Sequence, residues 1–237
     1  PTIISQIIMI IYNYADTWFL GQTKDENAVA ALSVIMPVFI IMNAVASLFG
    51  IGGSSLIARY LGRKEPNKAK HVFAFSLWGS IAASILYSLV ILIFAKPIIY
   101  AVGGSDVTYE YIFNYALITM IIGSVPTILN NVFGHLVRAV GASKEASIGM
   151  GLGGVLNIIL DPLFMFVLLP KGNEVLGAGL ATMLSNVAAT IFFIIYIIKH
   201  KEIEVFTLNP KDISLKHSIP KEGLFIGFPA ALSTTLA

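Results

Sequence analysis

Two polar residues stand inside a long apolar run near the middle of the chain. They are Asn157 and Asp161, and Pro162 follows directly. A charged Asp in the middle of a membrane helix costs about 2.5–3.5 kcal/mol on insertion scales, so such residues usually serve a function. The spacing of four predicts that both side chains lie on one helix face, where the amide can bond the carboxyl group. Proline removes a backbone donor, so a bend is expected after Asp161.

A second carboxylate, Asp16, lies in the first apolar run. Of the thirteen acidic residues, only Asp16 and Asp161 fall inside apolar runs, and the others lie in loops or at helix ends. At about 1.5 Å per residue, they are expected roughly 6 and 12 Å below the outer membrane surface. They can share one site if the first and fifth helices pack together. Tyr12 precedes Asp16 by four residues and can reach the same face.

The chemistry that these residues offer is reversible cation binding. Burial favours the neutral form of a carboxyl group, which can therefore take up a proton near neutral pH. The ionised form can instead bind sodium, with oxygens of a neighbouring amide or hydroxyl, or attract an organic cation. A competing interpretation is a helix end, with Asn157 as a cap and an Asp-Pro turn. The apolar residues that continue from Leu163 to Leu169 favour a membrane span.

The composition is that of a polytopic membrane protein. Hydrophobic residues make up 57% of the 237 residues and charged residues only 12%, about half the usual share of a soluble domain. The net charge of +2 indicates neither nucleic acid nor an acidic partner. The sequence has no cysteine, which excludes disulfides and thiolate metal sites.

Six apolar runs are long enough to cross a bilayer, which takes about 20 helical residues. They cover residues 1–20, 28–58, 72–95, 111–137 with an interruption at Pro126, 146–169 and 175–198. A polar stretch follows, and a seventh run begins near Gly223. The sequence opens on Pro1 within an apolar run and stops inside another. We therefore expect it to be a piece of a longer protein. No positively charged n-region or small-residue cleavage site precedes the first run, so a signal peptide is not expected.

Basic residues predict the orientation. Twelve of the fifteen Lys and Arg residues follow the second, fourth and sixth runs; the three on the opposite side are Lys24, Lys96 and Lys171. Basic loops stay in the cytoplasm. The N-terminus and residues 199–222 are therefore predicted to be cytoplasmic, in a multi-pass protein of the cell (plasma) membrane. The same loops could bind acidic lipid or nucleic acid, but topology already accounts for them.

The order and spacing of several short motifs resemble the MATE (multidrug and toxic compound extrusion) family. The motifs span residues 1–199 and are Ala15–Gly21, Ala28–Leu32, Gly50–Ser54 with Ala58–Gly62, Leu136–Gly141, Leu156–Phe164 and Gly177–Thr182.

The resemblance implies an all-α membrane protein with twelve helices in two six-helix lobes. Residues 1–199 would be the N-terminal six-helix transmembrane lobe, 200–222 the cytoplasmic inter-lobe linker, and 223–237 the start of helix seven in a C-terminal lobe that this sequence lacks.

The implied function is antiport, in which organic cations or drugs leave the cell as protons or sodium ions enter. The resemblance assigns Asp16, Asn157, Asp161 and Thr182 to the site for the coupling ion and the substrate, with Tyr12 beside them. If the ion is sodium, Asp16, Asn157 and Asp161 are the expected ligands. No cofactor, enzymatic activity or nucleic-acid partner is expected; the expected partners are small organic cations and membrane lipid.

Two other functions compete with antiport. A lipid-linked precursor or polysaccharide flippase of the same superfamily should carry basic residues inside the lobe, whereas the intramembrane charges here are acidic. A two-aspartate intramembrane protease should have a Gly-x-Gly-Asp motif, but Ile159 and Leu160 precede Asp161. A zinc hydrolase would need a His-Glu-x-x-His motif, which this sequence does not contain.

Overall fold

The computed structural model describes residues 26–214 and 218–236, together with residues 7, 11, 15, 18–19 and 21–23. The first expected span, 1–20, therefore lies mostly outside the described residues. Regular secondary structure in the described ranges is helical, without a β-strand. This confirms the prediction of an all-α protein.

The helices follow the apolar runs. We number them α1 to α8: Glu26–Gly62, Pro66–Ile93, Ala95–Ala101, Tyr109–Ala116, Ser124–Ala139, Ser143–Pro162, Glu174–Lys199 and Ile219–Leu236. Two π-helical segments extend α4 and α6, at Leu117–Ile122 and Leu163–Leu168, and a 3₁₀ turn covers Pro210–Asp212.

Four helical segments within the described ranges are long and apolar enough to cross a membrane, and a bent pair would make a fifth if its two helices cross as one span. The four are Val29–Gly62, Pro66–Ile93, Ser143–Leu168 and Glu174–Lys199. The pair joins Tyr109–Ile122 to Ser124–Ala139 at an angle of 52°.

The bend of the pair lies at Gly123, three residues before the expected interruption at Pro126. The Gly123 N–H bonds the Ile118 carbonyl at 2.8 Å and closes the π-helical turn. Pro126 then lies in the first turn of α5, where a helix does not need its N–H. The proline therefore lies in the first turn of a helix instead of interrupting one.

The helices bury one set of apolar side chains and expose another. Phe73, Phe133 and Phe193, from α2, α5 and α7, are among the largest fully buried side chains. In contrast, Ile93 and Val167 remain about 70% exposed. Such outward apolar surface is expected of helices that face lipid.

Helix α8 packs against α1 at very short range. A Cβ atom on Gly227 would lie 2.0 Å from the Leu48 carbonyl oxygen, so only glycine permits this approach. Further along, the hydroxyls of Ser47 and Thr234 are 3.1 Å apart. The two helices therefore meet directly through their backbones.

The segment between α7 and α8 is anchored to the beginning of α2. The Phe206 ring packs 5.7 Å from the Phe73 ring. Asp212 accepts a hydrogen bond from the Thr207 hydroxyl and lies 3.1 Å from the Lys70 ammonium. The hydrogen bond from the Thr207 hydroxyl contributes most to lowering the pKa of Asp212, and the Lys70 ammonium lowers it further. The carboxylate therefore stays ionised at neutral pH.

Candidate functional site

Asp161 and Asn157 form the buried centre of the candidate site. Asp161 is 0% and Asn157 is 2% exposed. The Asn157 amide nitrogen donates a hydrogen bond to Asp161 Oδ1 at 3.2 Å. This bond follows from the helical spacing of four, because residues four apart stack on one face.

Thr182 approaches the pair from α7. It is 7% exposed, and its Oγ1 accepts a second hydrogen bond from the Asn157 nitrogen at 3.3 Å. An amide nitrogen carries two hydrogens, so these two bonds use both. The Asn157 Oδ1 atom is buried and receives no hydrogen bond from any residue that the structure describes. It is therefore available as an acceptor or as a cation ligand.

The backbone around Pro162 sets the position of Asp161. The helix continues to Leu168 but changes from α to π after Pro162, so the competing interpretation of a helix end at Asp161 is wrong. The change follows from the proline, which has no N–H to continue the α-helical bonding. At the position of the expected bend, the structure has a local change of helical winding.

Gly177 brings α7 against the π-helical segment. A Cβ atom at this position would lie 2.9 Å from the Met165 backbone nitrogen and Cα. Because α7 starts so close to the segment after Asp161, Thr182, five residues later, comes within reach of Asn157.

The hydrogen-bonded network extends beyond the predicted residues. The Asn186 amide nitrogen donates to the Thr182 carbonyl at 2.9 Å, and Asn186 Oδ1 accepts from the Asn130 nitrogen at 2.9 Å. Neither Asn130 nor Asn186 was among the site residues predicted from the sequence. The available signal was the spacing of four between Thr182 and Asn186.

Tyr12 and Asp16 lie outside the described residues, so their part in the site stays a prediction. A nearby described residue, Phe19, packs its ring 6.4 Å from that of Phe166 in an edge-to-face arrangement. This contact joins the end of the first expected span to the π-helical segment that follows Asp161.

The ligands available at the site are hard oxygen atoms: the Asp161 carboxylate, Asn157 Oδ1 and Thr182 Oγ1. They suit a proton or a small hard cation and are a poor match for transition metals, which favour imidazole or thiolate. Among the described residues, no three His, Cys, Asp or Glu side chains are grouped so as to hold a metal ion. The site can exchange one positive charge at a buried carboxylate.

Several known proteins are similar to this chain in sequence. The family model described as MatE matches residues 1–163. The multidrug export protein MepA of Staphylococcus aureus (strain NCTC 8325 / PS 47) is 36% identical over 236 residues, which is 100% of this chain and 51% of that protein. MepA of Staphylococcus saprophyticus is 32% identical over 236 residues, which is again 100% of this chain and 51% of that protein. The chain thus spans about half the length of these curated relatives.

Solved structures agree in fold and in sequence. The inward- and outward-facing conformations of a multidrug resistance MATE family transporter of the MOP superfamily give TM-scores of 0.85 and 0.87, each at 31% identity. They cover 94% and 98% of this chain and 50% of the transporter chain. These proteins are transporters, not enzymes. The MatE family model matches more than two thirds of the length of this chain. The chain therefore belongs to the MatE family of multi-pass membrane transporters.

Proposed function

We propose that this chain forms one lobe of a cation-coupled exporter of organic cations. The observation that carries the proposal is the buried Asp161, hydrogen-bonded to Asn157 beside Thr182, within helices long enough to span a bilayer. A buried carboxylate needs a compensating charge, and a proton, a sodium ion or an organic cation can provide it. The relatives' names, multidrug export protein, support a drug-like substrate.

In the proposed chemistry, one cation replaces another at the single negative charge of Asp161. When Asp161 is ionised, Asn157 stabilises it with an N–H donor. To bind sodium beside Asp161 and Thr182 Oγ1, the Asn157 amide would have to turn so that its oxygen, and not its nitrogen, faces the ion. Protonation or sodium binding removes the negative charge that attracts an organic cation, so the two ligands exclude each other. Asp16 would supply the second carboxylate. The contact between Phe19 and Phe166 supports that role.

We further propose that transport requires a second lobe. The division into a lobe at 1–199, a linker at 200–222 and the start of a second lobe at 223–237 is part of this proposal, as is a cytoplasmic N-terminus. The chain superposes about equally well on inward- and outward-facing relatives. This supports access that alternates by movement of two lobes, with each lobe keeping its shape.

The test uses the complete gene product that contains this chain, reconstituted into liposomes. Ethidium transport is followed while a pH gradient or a sodium gradient is imposed separately. We expect one gradient to drive transport, and Asp161→Asn and Asp16→Asn to abolish the driven part while both variants still insert into the membrane. Asp106→Asn, an exposed loop position, is the matched control and should transport normally.

Two outcomes would contradict the proposal. Wild-type coupling in Asp161→Asn would remove the assigned role of this carboxylate. No response to either gradient, with lipid scrambling in its place, would make the flippase the better interpretation.

A further inference from the structure

A hydrogen-bonded chain leads away from the candidate site into the lobe. It starts at Asp161, passes through Asn157 and Thr182, and continues to Asn186 and Asn130. Its members come from α6, α7 and α5. The chain therefore links a helix that contributes nothing directly to the site, α5, to the residues that surround the carboxylate.

Asn130 lies between the two helices that form the site. Its side chain is 9% exposed. A Cβ atom on Gly153 of α6 would lie 3.4 Å from the Asn130 amide nitrogen, so this amide packs directly against the α6 backbone. Gly153 precedes Asn157 by four residues, or about 6 Å along the helix. Asn130 thus occupies the level one turn away from Asn157.

The Asn130 bond fixes Asn186 in one orientation. Because Asn186 Oδ1 accepts from Asn130, its amide nitrogen is directed to the Thr182 carbonyl. Without Asn130, the Asn186 amide could rotate and release that carbonyl. The change would reach the turn of α7 that carries Thr182 Oγ1, an acceptor for Asn157.

We propose that Asn130 and Asn186 are positioning residues that set the cation affinity of the Asp161 site through Thr182. The inference rests on the proposed function. Neither amide touches Asp161 in the hydrogen bonds described above, so the pair acts on the geometry of Asn157 and Thr182. In wild type the pair holds these ligands in the arrangement that binds the coupling cation.

The structure offers a matched control for simple helix packing. The Thr190 hydroxyl donates to the Pro126 carbonyl at 2.9 Å, and this bond joins the same two helices, α5 and α7. Thr190 is buried, like Asn130, but its bond does not lead to Thr182. A variant that only loosened α5 from α7 should therefore resemble Thr190→Val.

The experiment compares Asn130→Leu, Asn186→Leu, the double variant and Thr190→Val in the complete gene product in liposomes. The readouts are the proton or sodium concentration at half-maximal ethidium transport and, separately, the maximal rate. We expect each Asn variant to raise the half-maximal concentration by about two- to tenfold, a typical effect of losing one hydrogen bond. Asn186→Leu also removes the bond to the Thr182 carbonyl, so its shift should be at least as large as that of Asn130→Leu. The double variant should match Asn186→Leu, because Asn130 has no bond to Asn186 left to lose.

Thr190→Val should leave the half-maximal concentration within about twofold of wild type. A change of that size is the smallest that the loss of one hydrogen bond at the site would produce. The inference is overturned if Asn130→Leu does not shift this concentration, if Thr190→Val shifts it equally, or if the Asn effects multiply. If Asn130→Leu fails to insert, Asn186→Leu at its half-buried position decides the question alone. A wild-type protein without any cation dependence would overturn the proposed function as well, so the two failures are distinguishable.

Discussion

At the scale of single residues, Asn157 connects the site. Its amide nitrogen donates to a carboxylate on its own helix and to a hydroxyl on α7, and its oxygen receives no hydrogen bond from the described residues. An amide can combine these tasks because it presents two donors and an acceptor on opposite sides of one planar group. A carboxylate in its place would lose both donors.

The Thr182 hydroxyl gives a prediction at this scale. Thr182→Val keeps the shape of the side chain but removes Oγ1, so one Asn157 hydrogen loses its acceptor and a cation loses an oxygen. We expect the proton or sodium concentration at half-maximal transport to rise about two- to tenfold. Thr182→Ser keeps the hydroxyl and should behave like wild type. Equal transport curves for Thr182→Val and Thr182→Ser would exclude a role for the hydroxyl.

At the scale of elements, the π-helical segment after Pro162 shapes the site. It keeps the helix continuous past Asp161 and accommodates the missing proline N–H. Short π-helical stretches inside helices often occur at functional sites. Here the segment also supplies the backbone surface on which α7 begins, at Gly177.

That contact predicts an asymmetric effect of two alanine substitutions. Gly177→Ala would place a Cβ atom 2.9 Å from the Met165 backbone, which cannot move aside as a side chain can. We expect a loss of about 1–3 kcal/mol in stability, measured as a lower thermal midpoint in detergent. Gly62→Ala is the control, because its Cβ would meet no atom within 4 Å, and it should change stability by less than about 0.5 kcal/mol. Equal midpoints for the two variants would contradict the close contact.

At the scale of the whole molecule, the joint between α1 and α8 matters most. In the proposed architecture α8 opens the second lobe, so its backbone contact with α1 joins the two lobes. Gly227 permits the close approach, and Ser47 and Thr234 meet further along the pair.

Cysteine pairing tests this joint, and the chain has no cysteine to interfere. We expect Ser47→Cys with Thr234→Cys to form a disulfide under mild oxidant, because the two hydroxyls are 3.1 Å apart. Adding Gly227→Ala should slow the crosslink, whereas Gly223→Ala, whose Cβ would meet only a Phe75 atom at 3.9 Å, should not. Crosslinking is read as a mobility shift on a gel. If the two cysteines fail to crosslink in a protein that keeps Gly227 and Gly223, α8 does not pack on α1 in the membrane.

The sequence by itself determined the class of protein and the local geometry. Membrane character follows from composition, and spans from the length of apolar runs, because both depend only on transfer from water to lipid. The Asn157–Asp161 bond also follows from the sequence, since helical periodicity fixes which residues share a face. The division of the chain into lobe, linker and second lobe, and the roles of Tyr12 and Asp16, stay predictions.

Only the tertiary structure decided which helices meet. Thr182 is 25 residues from Asn157, and Asn186 is 56 residues from Asn130, so no local periodicity relates them. The resemblance pointed to Thr182, but Asn186 entered only through packing of α5, α6 and α7. The bend at Gly123 was likewise decided by a π-helical turn, not by Pro126 alone. Contacts between distant segments depend on how all side chains pack together, and the sequence pattern of one segment does not contain that information.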